Sequence, residues 1–271
     1  MKILLRLAAS SVLAGAALVL GAGPVACGDE GSGTTGRRIA LDVEIAASPE
    51  SKAFTNAKGW SVTLTKAAVA TGAFYFYDGE TMFAGASPRL PPRRGAGGLV
   101  RSAFAHPGHY VPGNAKGEML TASSADLLAG GALGRGDGVT GAVRSATFGF
   151  GAPAVGPLAA ELGSSVIVLE GTAKKDAATR VFRAEIAPDE LKDAKGVPQI
   201  EGCPFEIADM QGDGTVKITV KLTTWLDQVA FDDVPEGADG APAPLGEGLA
   251  RNQLVRGVKG ALGYTFAYAP R

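Results

Sequence analysis

Histidine and cysteine are scarce in this chain, with two of each among 271 residues. The cysteines, Cys27 and Cys203, lie far apart and form no Cys-x-x-Cys pair, which excludes a zinc cysteine cluster. Positive charge is not concentrated: 26 Lys and Arg face 27 Asp and Glu with no basic run, which argues against nucleic acid as a partner. The usual catalytic signatures are missing as well. Gly130 to Gly138 is glycine-rich but lacks the Lys-Ser/Thr of a phosphate loop, and no strand-to-helix context supports a dinucleotide site. No serine sits in Gly-x-Ser-x-Gly. Asp126, Asp137, Asp213, Asp232 and Asp233 lack the spacing of a calcium loop. Arg135-Gly136-Asp137 reads as a loop before a strand. Nothing selects a carboxylate pair for hydrolysis, so the chain is not expected to be an enzyme. Long amphipathic helical patterns are also missing, which points away from a helical bundle.

The N-terminus is informative. Residues 1–26 read as a secretory signal peptide, with Lys2 and Arg6 as the basic region and Leu7 to Leu20 as the apolar one. That stretch is too short and too rich in Ala and Gly for a membrane span. Pro24-Val25-Ala26-Cys27 resembles a bacterial lipobox, with small Ala26 before the cut and Pro24 in place of the usual aliphatic residue. Cys27 is then the lipid attachment site, and the protein is expected in the cell envelope, in the periplasm or at the outer membrane, held to the membrane by its N-terminal lipid. Ordinary secretion with an unmodified Cys27 is the alternative. In the first case Cys203 is a buried thiol or a soft metal ligand; in the second a Cys27–Cys203 disulfide is allowed. Removing Lys2 and Arg6 takes the formal charge from −1 to −3, still close to neutral. Residues 27–38, small and polar, form a flexible tether.

From residue 39 to 271 the pattern is that of strands. Ile39, Leu41, Val43 and Ile45 alternate with Ala40, Asp42 and Glu44. Trp60, Val62 and Leu64 continue the theme, Phe74 to Tyr77 is an aromatic strand, Ser164 to Leu169 and Thr179 to Ile186 form a hairpin, and Val216 to Leu222 alternates strictly. Tyr264, Phe266 and Tyr268 mark a closing strand. Glu80 to Asp137 is expected to be irregular apart from a short helix capped by Ser123 or Ser124, and Leu249 to Val258 is expected to be helical. Trp225 to Phe231 fits a short strand or a helical turn. The fold class is all-β, a β-sandwich or jelly-roll-like single domain with long irregular loops.

Both histidines fall in one irregular stretch, Phe104-Ala105-His106-Pro107-Gly108-His109-Tyr110-Val111-Pro112-Gly113. Pro-Gly at the centre of a four-residue turn fits type II geometry, which brings the flanking Cα atoms within about 7 Å. Two imidazoles starting from those ends can converge on one ion, and neutral imidazole is the commonest protein ligand for transition metals. Two donors do not complete a site. Met119 would add a thioether that selects Cu(I), whereas Glu118 would suit zinc or iron. Met82 and Met210 read as core filler, and Tyr110 reads as packing or as a hydrogen-bond support for a histidine. The expectation is storage of a transition metal, copper first and iron or zinc after it, or its delivery to a transporter or redox partner. The rival is a lipoprotein that binds protein or glycan through its loops and uses the histidines as loop supports; a metal-dependent enzyme ranks third.

The lipoprotein-type signal, the all-β body, Gly59-Trp60-Ser61-Val62 and the late run Asn252-Gln253, Arg256-Gly257-Val258, Tyr264-Thr265-Phe266 together resemble the MbnP-like periplasmic copper-binding proteins. In that family a copper ion sits between histidines and a tryptophan-derived kynurenine. The resemblance therefore implicates His106 and His109 with Trp60 or Trp225. Family sites take their histidines from separate segments, whereas here both come from one turn. Read from the residues alone, both tryptophans belong to the core.

Overall fold

Alternating apolar and polar residues build the first strand, β1 (Arg38–Ala47), whose Ile39, Leu41, Val43 and Ile45 are buried. The computed structural model describes residues 36–81, 110–237 and 241–271. Among them β1 is followed by β2 (Ala53–Thr55), the long β3 (Ser61–Tyr77), β4 (Ala115–Met119), β5 (Ser123–Asp126), β6 (Gly131–Val139) and β7 (Gly141–Phe150). Then come a short helix α1 (Ala159–Leu162), β8 (Ile167–Lys175), β9 (Ala178–Ile186), β10 (Gln199–Met210) and β11 (Gly214–Val220). Helix α2 (Leu222–Leu226), β12 (Ala243–Pro244), α3 (Leu249–Val258) and β13 (Tyr264–Pro270) complete the chain. The fold is all-β and sandwich-like, a single large mixed sheet with few helices.

The sheet turns back on itself. β3 is flanked by β5 and β8 at Ala68 and Val69, and by β4 and β7 at Phe74 to Tyr77. Following hydrogen-bonded neighbours from β3 through β4, β6, β1, β11, β13, β10 and β7 leads back to β3. Those eight strands form a closed ring, the arrangement that removes free sheet edges. Two joints in it are narrow. β4 meets β6 at Gly117↔Gly138 and Glu118↔Asp137, and β10 meets β13 at Phe205↔Phe266. Glycine permits the first joint: a Cβ on Gly136 would collide with the carbonyl oxygen of Glu118, and one on Gly117 would press to 3.0 Å against Leu41 Cδ1.

Inward-facing aromatics fill the ring. Phe74 packs edge-on against Phe148 at 5.0 Å and Phe266 at 6.3 Å, Phe76 packs likewise on Phe205 and Phe266, and Tyr264 lies 4.6 Å from Phe148. Burying each such ring is worth about 1.5–3 kcal/mol, and the cluster is part of the one continuous core. Where β1 and β11 end, α2 and α3 cover the ring. Ala250, Leu254 and Val258 give α3 one buried stripe, and Gly257 lies so close to the Trp225 carbonyl that a Cβ would not fit.

Several elements differ from the sequence expectation. Ser123 to Leu128 is not a helix: Ser123–Asp126 pairs with Thr71–Ala68 of β3, and backbone pairing with an available edge overrides the capping signal of the serines. The Ser124 hydroxyl instead accepts a hydrogen bond from the Leu158 N–H at 2.9 Å. Residues 115–137, expected to be irregular, contain β4, β5 and most of β6, and Arg135-Gly136-Asp137 is strand. The helical turn near Trp225 starts earlier, at Leu222. α3 matches the expected Leu249–Val258. Among the described residues no helix is long and apolar enough to cross a membrane.

Candidate functional site

Asp78 and Tyr110 stand on either side of the stretch that carries the histidines, and the structure fastens these two flanks together. The Asp78 N–H donates to the Asn114 carbonyl at 3.1 Å, and the Gly79 N–H to the Pro112 carbonyl at 2.9 Å. The Asp78 carboxylate accepts from the Asn114 backbone N–H at 2.7 Å and from its side-chain amide at 3.1 Å, with Lys116 Nζ at 3.5 Å. Burial alone would raise the Asp78 pKa; the Asn114 donors and Lys116 outweigh it and hold the carboxyl below its ordinary value. Pro112-Gly113 sets this geometry, with Gly113 at φ 75° and no room for a Cβ beside the Asp78 carboxylate.

A second tie runs through Ser145, which is fully buried on β7. Its hydroxyl donates to the Gly79 carbonyl at 2.6 Å, which uses its only proton. The Tyr110 hydroxyl, 2.6 Å away, must therefore donate to Ser145. Burial pushes the Tyr110 phenol up to about 12, so it remains a neutral donor throughout the physiological range. The Tyr110 ring lies over Gly202, where a Cβ would meet it at 3.4 Å. Tyr110 thus spends its hydroxyl on Ser145 and its ring on packing.

His106, His109, Cys27 and Met82 lie outside the described residues. Met119 is buried in the core, opposite Phe74 in register, and Met210 is fully buried. Glu118 precedes Met119 on β4 and so points to the other side of the sheet, half-exposed on the outer wall. No single position on one face is shared by both. Cys203 is a free thiol with no exposure; burial raises its pKa far above the usual range, and it donates weakly to the Ile200 carbonyl at 3.4 Å. A buried thiol of this kind is chemically inert.

The tryptophans lie elsewhere. Trp60 is buried just before β3, edge-on to Phe231 at 5.7 Å, with Lys175 Nζ 5.8 Å above its ring. The 17 residues of β3, a contour of roughly 50 Å, separate it from Asp78. Trp225, at 0% exposure, is in α2 beyond the end of β11, opposite the end where Asp78 and Tyr110 meet. Both indole N–H groups lack a hydrogen-bond partner among the described residues. The structure brings neither tryptophan to the fastened flanks.

Among the described residues no group of three or more His, Cys, Asp or Glu side chains is placed to hold an ion. The Pro112-Gly113 turn is legible in the sequence, whereas the clamp built on Asp78, Asn114 and Ser145 is not. The Asp78-Gly79 turn dipeptide was its only outward sign, because pairing between residues 36 apart leaves no local pattern. No family model, curated protein or solved structure matches this chain significantly.

Proposed function

We propose that this chain is an exported, lipid-anchored envelope protein that binds a transition metal, copper first and iron or zinc after it, through His106 and His109. Its role is to store the ion or pass it to a transporter or redox partner, without a catalytic step. One observation carries the reading: the chain's only two histidines flank Pro107-Gly108, and the second immediately precedes Tyr110, which is tied to the barrel wall through Ser145. A donor pair attached to a fixed residue loses less freedom on binding than one on a free loop. The resemblance to MbnP-like copper-binding proteins points the same way for the metal. The buried positions of Trp60 and Trp225 favour a site made without either indole. Glu118 and Met119 are the remaining candidates for a third donor, and Glu118, half-exposed, is the more accessible of the two.

Anaerobic titration of the mature chain with Cu(I), and separately with Fe(II) and Zn(II), against a competing chelator tests this. One equivalent bound by the wild type and none by His106→Ala/His109→Ala is the expected result. Equal binding by both would remove the proposal.

A further inference from the structure

The way the chain enters the barrel limits how an anchored molecule can stand on its membrane. Gly36, the first described residue, is wedged against the turn between β6 and β7, where a Cβ would meet the Thr140 carbonyl oxygen at 2.7 Å. Arg37 is bound there through both backbone groups: its N–H donates to Thr140 Oγ1 at 2.9 Å, and its carbonyl accepts from the Thr140 N–H at 2.9 Å. Its guanidinium donates to the Gln211 carbonyl at 2.8 Å, in the turn between β10 and β11. The Arg271 N–H donates to the Asp213 carbonyl at 3.1 Å in that same turn. The entry point is thus a fixed part of the barrel rim, at the end opposite the α2 and α3 cover.

Residues 28–35 lie between Cys27 and Gly36. Fully drawn out, that length of chain reaches roughly 30 Å at most. β1 alone, ten residues running from the entry point to the covered end, spans about 33 Å, and a covering helix adds about 10 Å. So short a connection cannot bring the covered end against a surface to which Cys27 is fixed, because it would first have to pass along the whole barrel. We propose that the entry end, formed by Arg37, Thr140, Gln211 and Arg271, is the face that meets the lipid headgroups, with α2 and α3 turned to the aqueous side. This orientation rests on the lipid at Cys27 proposed above and is independent of the metal. Length sets it, not charge: exposed Arg37 and Arg38 are offset by exposed Asp137 and Asp209 at the same end.

The test places the lipid-modified chain in vesicles of phosphatidylethanolamine and phosphatidylglycerol that carry a headgroup-linked energy acceptor. A donor dye is attached to Gln211→Cys at the entry end or to Asn252→Cys on α3, both exposed positions. Cys203 is buried and stays unlabelled. Transfer from the Gln211→Cys label should exceed that from the Asn252→Cys label by about twofold or more, as the roughly 33 Å of β1 between the two ends requires, and should do so at low and high salt alike. Inserting about thirty Gly and Ser residues after Ser32, enough to reach past the barrel, should remove most of the difference. Circular dichroism establishes that each labelled chain is folded. Mass spectrometry of the Cys27 peptide separates the two ways of failing. An unmodified Cys27 would remove the lipid anchor and the orientation with it. A lipid-modified chain with equal transfer from both positions, or greater transfer from Asn252→Cys, would overturn the orientation alone.

Discussion

Removing the carboxylate of Asp78 is the most revealing single change outside the histidines. Asp78→Ala deletes two acceptors that Asn114 fills at 2.7 and 3.1 Å and leaves Lys116 without its partner. Hydrogen bonds to a charged group contribute about 1.5–3 kcal/mol each when buried. The Asp78 side chain is 27% exposed, which places it toward the lower end. The ion pair at 3.5 Å adds little by itself. A net loss of about 2–3 kcal/mol follows, which for a body of this size lowers Tm by roughly 5–10 °C. The pH dependence makes the prediction sharper. The folded carboxyl titrates below the ordinary aspartate value of 3.8, so its stabilisation is complete above that value and is lost as the pH falls through the lower, folded one. Thermal melts of wild type and Asp78→Ala should therefore differ clearly at neutral pH and converge in strong acid. A gap that stays constant between those conditions, or no gap at neutral pH, would refute the clamp as the physical tie between the flanks.

Three further outcomes follow from the same structure. Phe148→Ala, which empties a fully buried position between Phe74, Phe150 and Tyr264, should cost about 3–5 kcal/mol, read from urea unfolding midpoints. Gly136→Ala should destabilise by about 1–3 kcal/mol through the collision with the Glu118 carbonyl, and hydrogen exchange should show the loss concentrated at the β4/β6 joint. Cys203 should resist a thiol reagent in the native protein and react only after denaturation, because its sulfur is buried and its pKa raised; fast native labelling would contradict the described core.

Strands with clean alternation were readable in the sequence because each buries one face. The run from Ile39 to Ile45 and that from Val216 to Leu222 are of this kind, and the hairpin of β8 and β9 needed only a turn, with Asp176 at φ 51°, to be recognised. Strand β10 was not legible, since Gly202 and Pro204 read as breakers; its pairing with β7 accommodates them by shifting register after Ile200 and again after Pro204. Strand β6 was hidden by its glycines, which the closed ring requires for close backbone approach and which local propensity reads as loop. Ring closure itself depends on β3 pairing with both β4 and β7, a long-range relation that no window of sequence contains. The site divides in the same way. A turn such as Pro112-Gly113 is local and readable, whereas the Asp78, Asn114 and Ser145 clamp exists only once distant strands have met.

The metal content of the protein taken from its native envelope, set beside that of a His106→Ala/His109→Ala variant prepared identically, bears most directly on the central claim. The account predicts close to one transition-metal ion per wild-type chain and almost none in the variant. The same metal content in both proteins would contradict it.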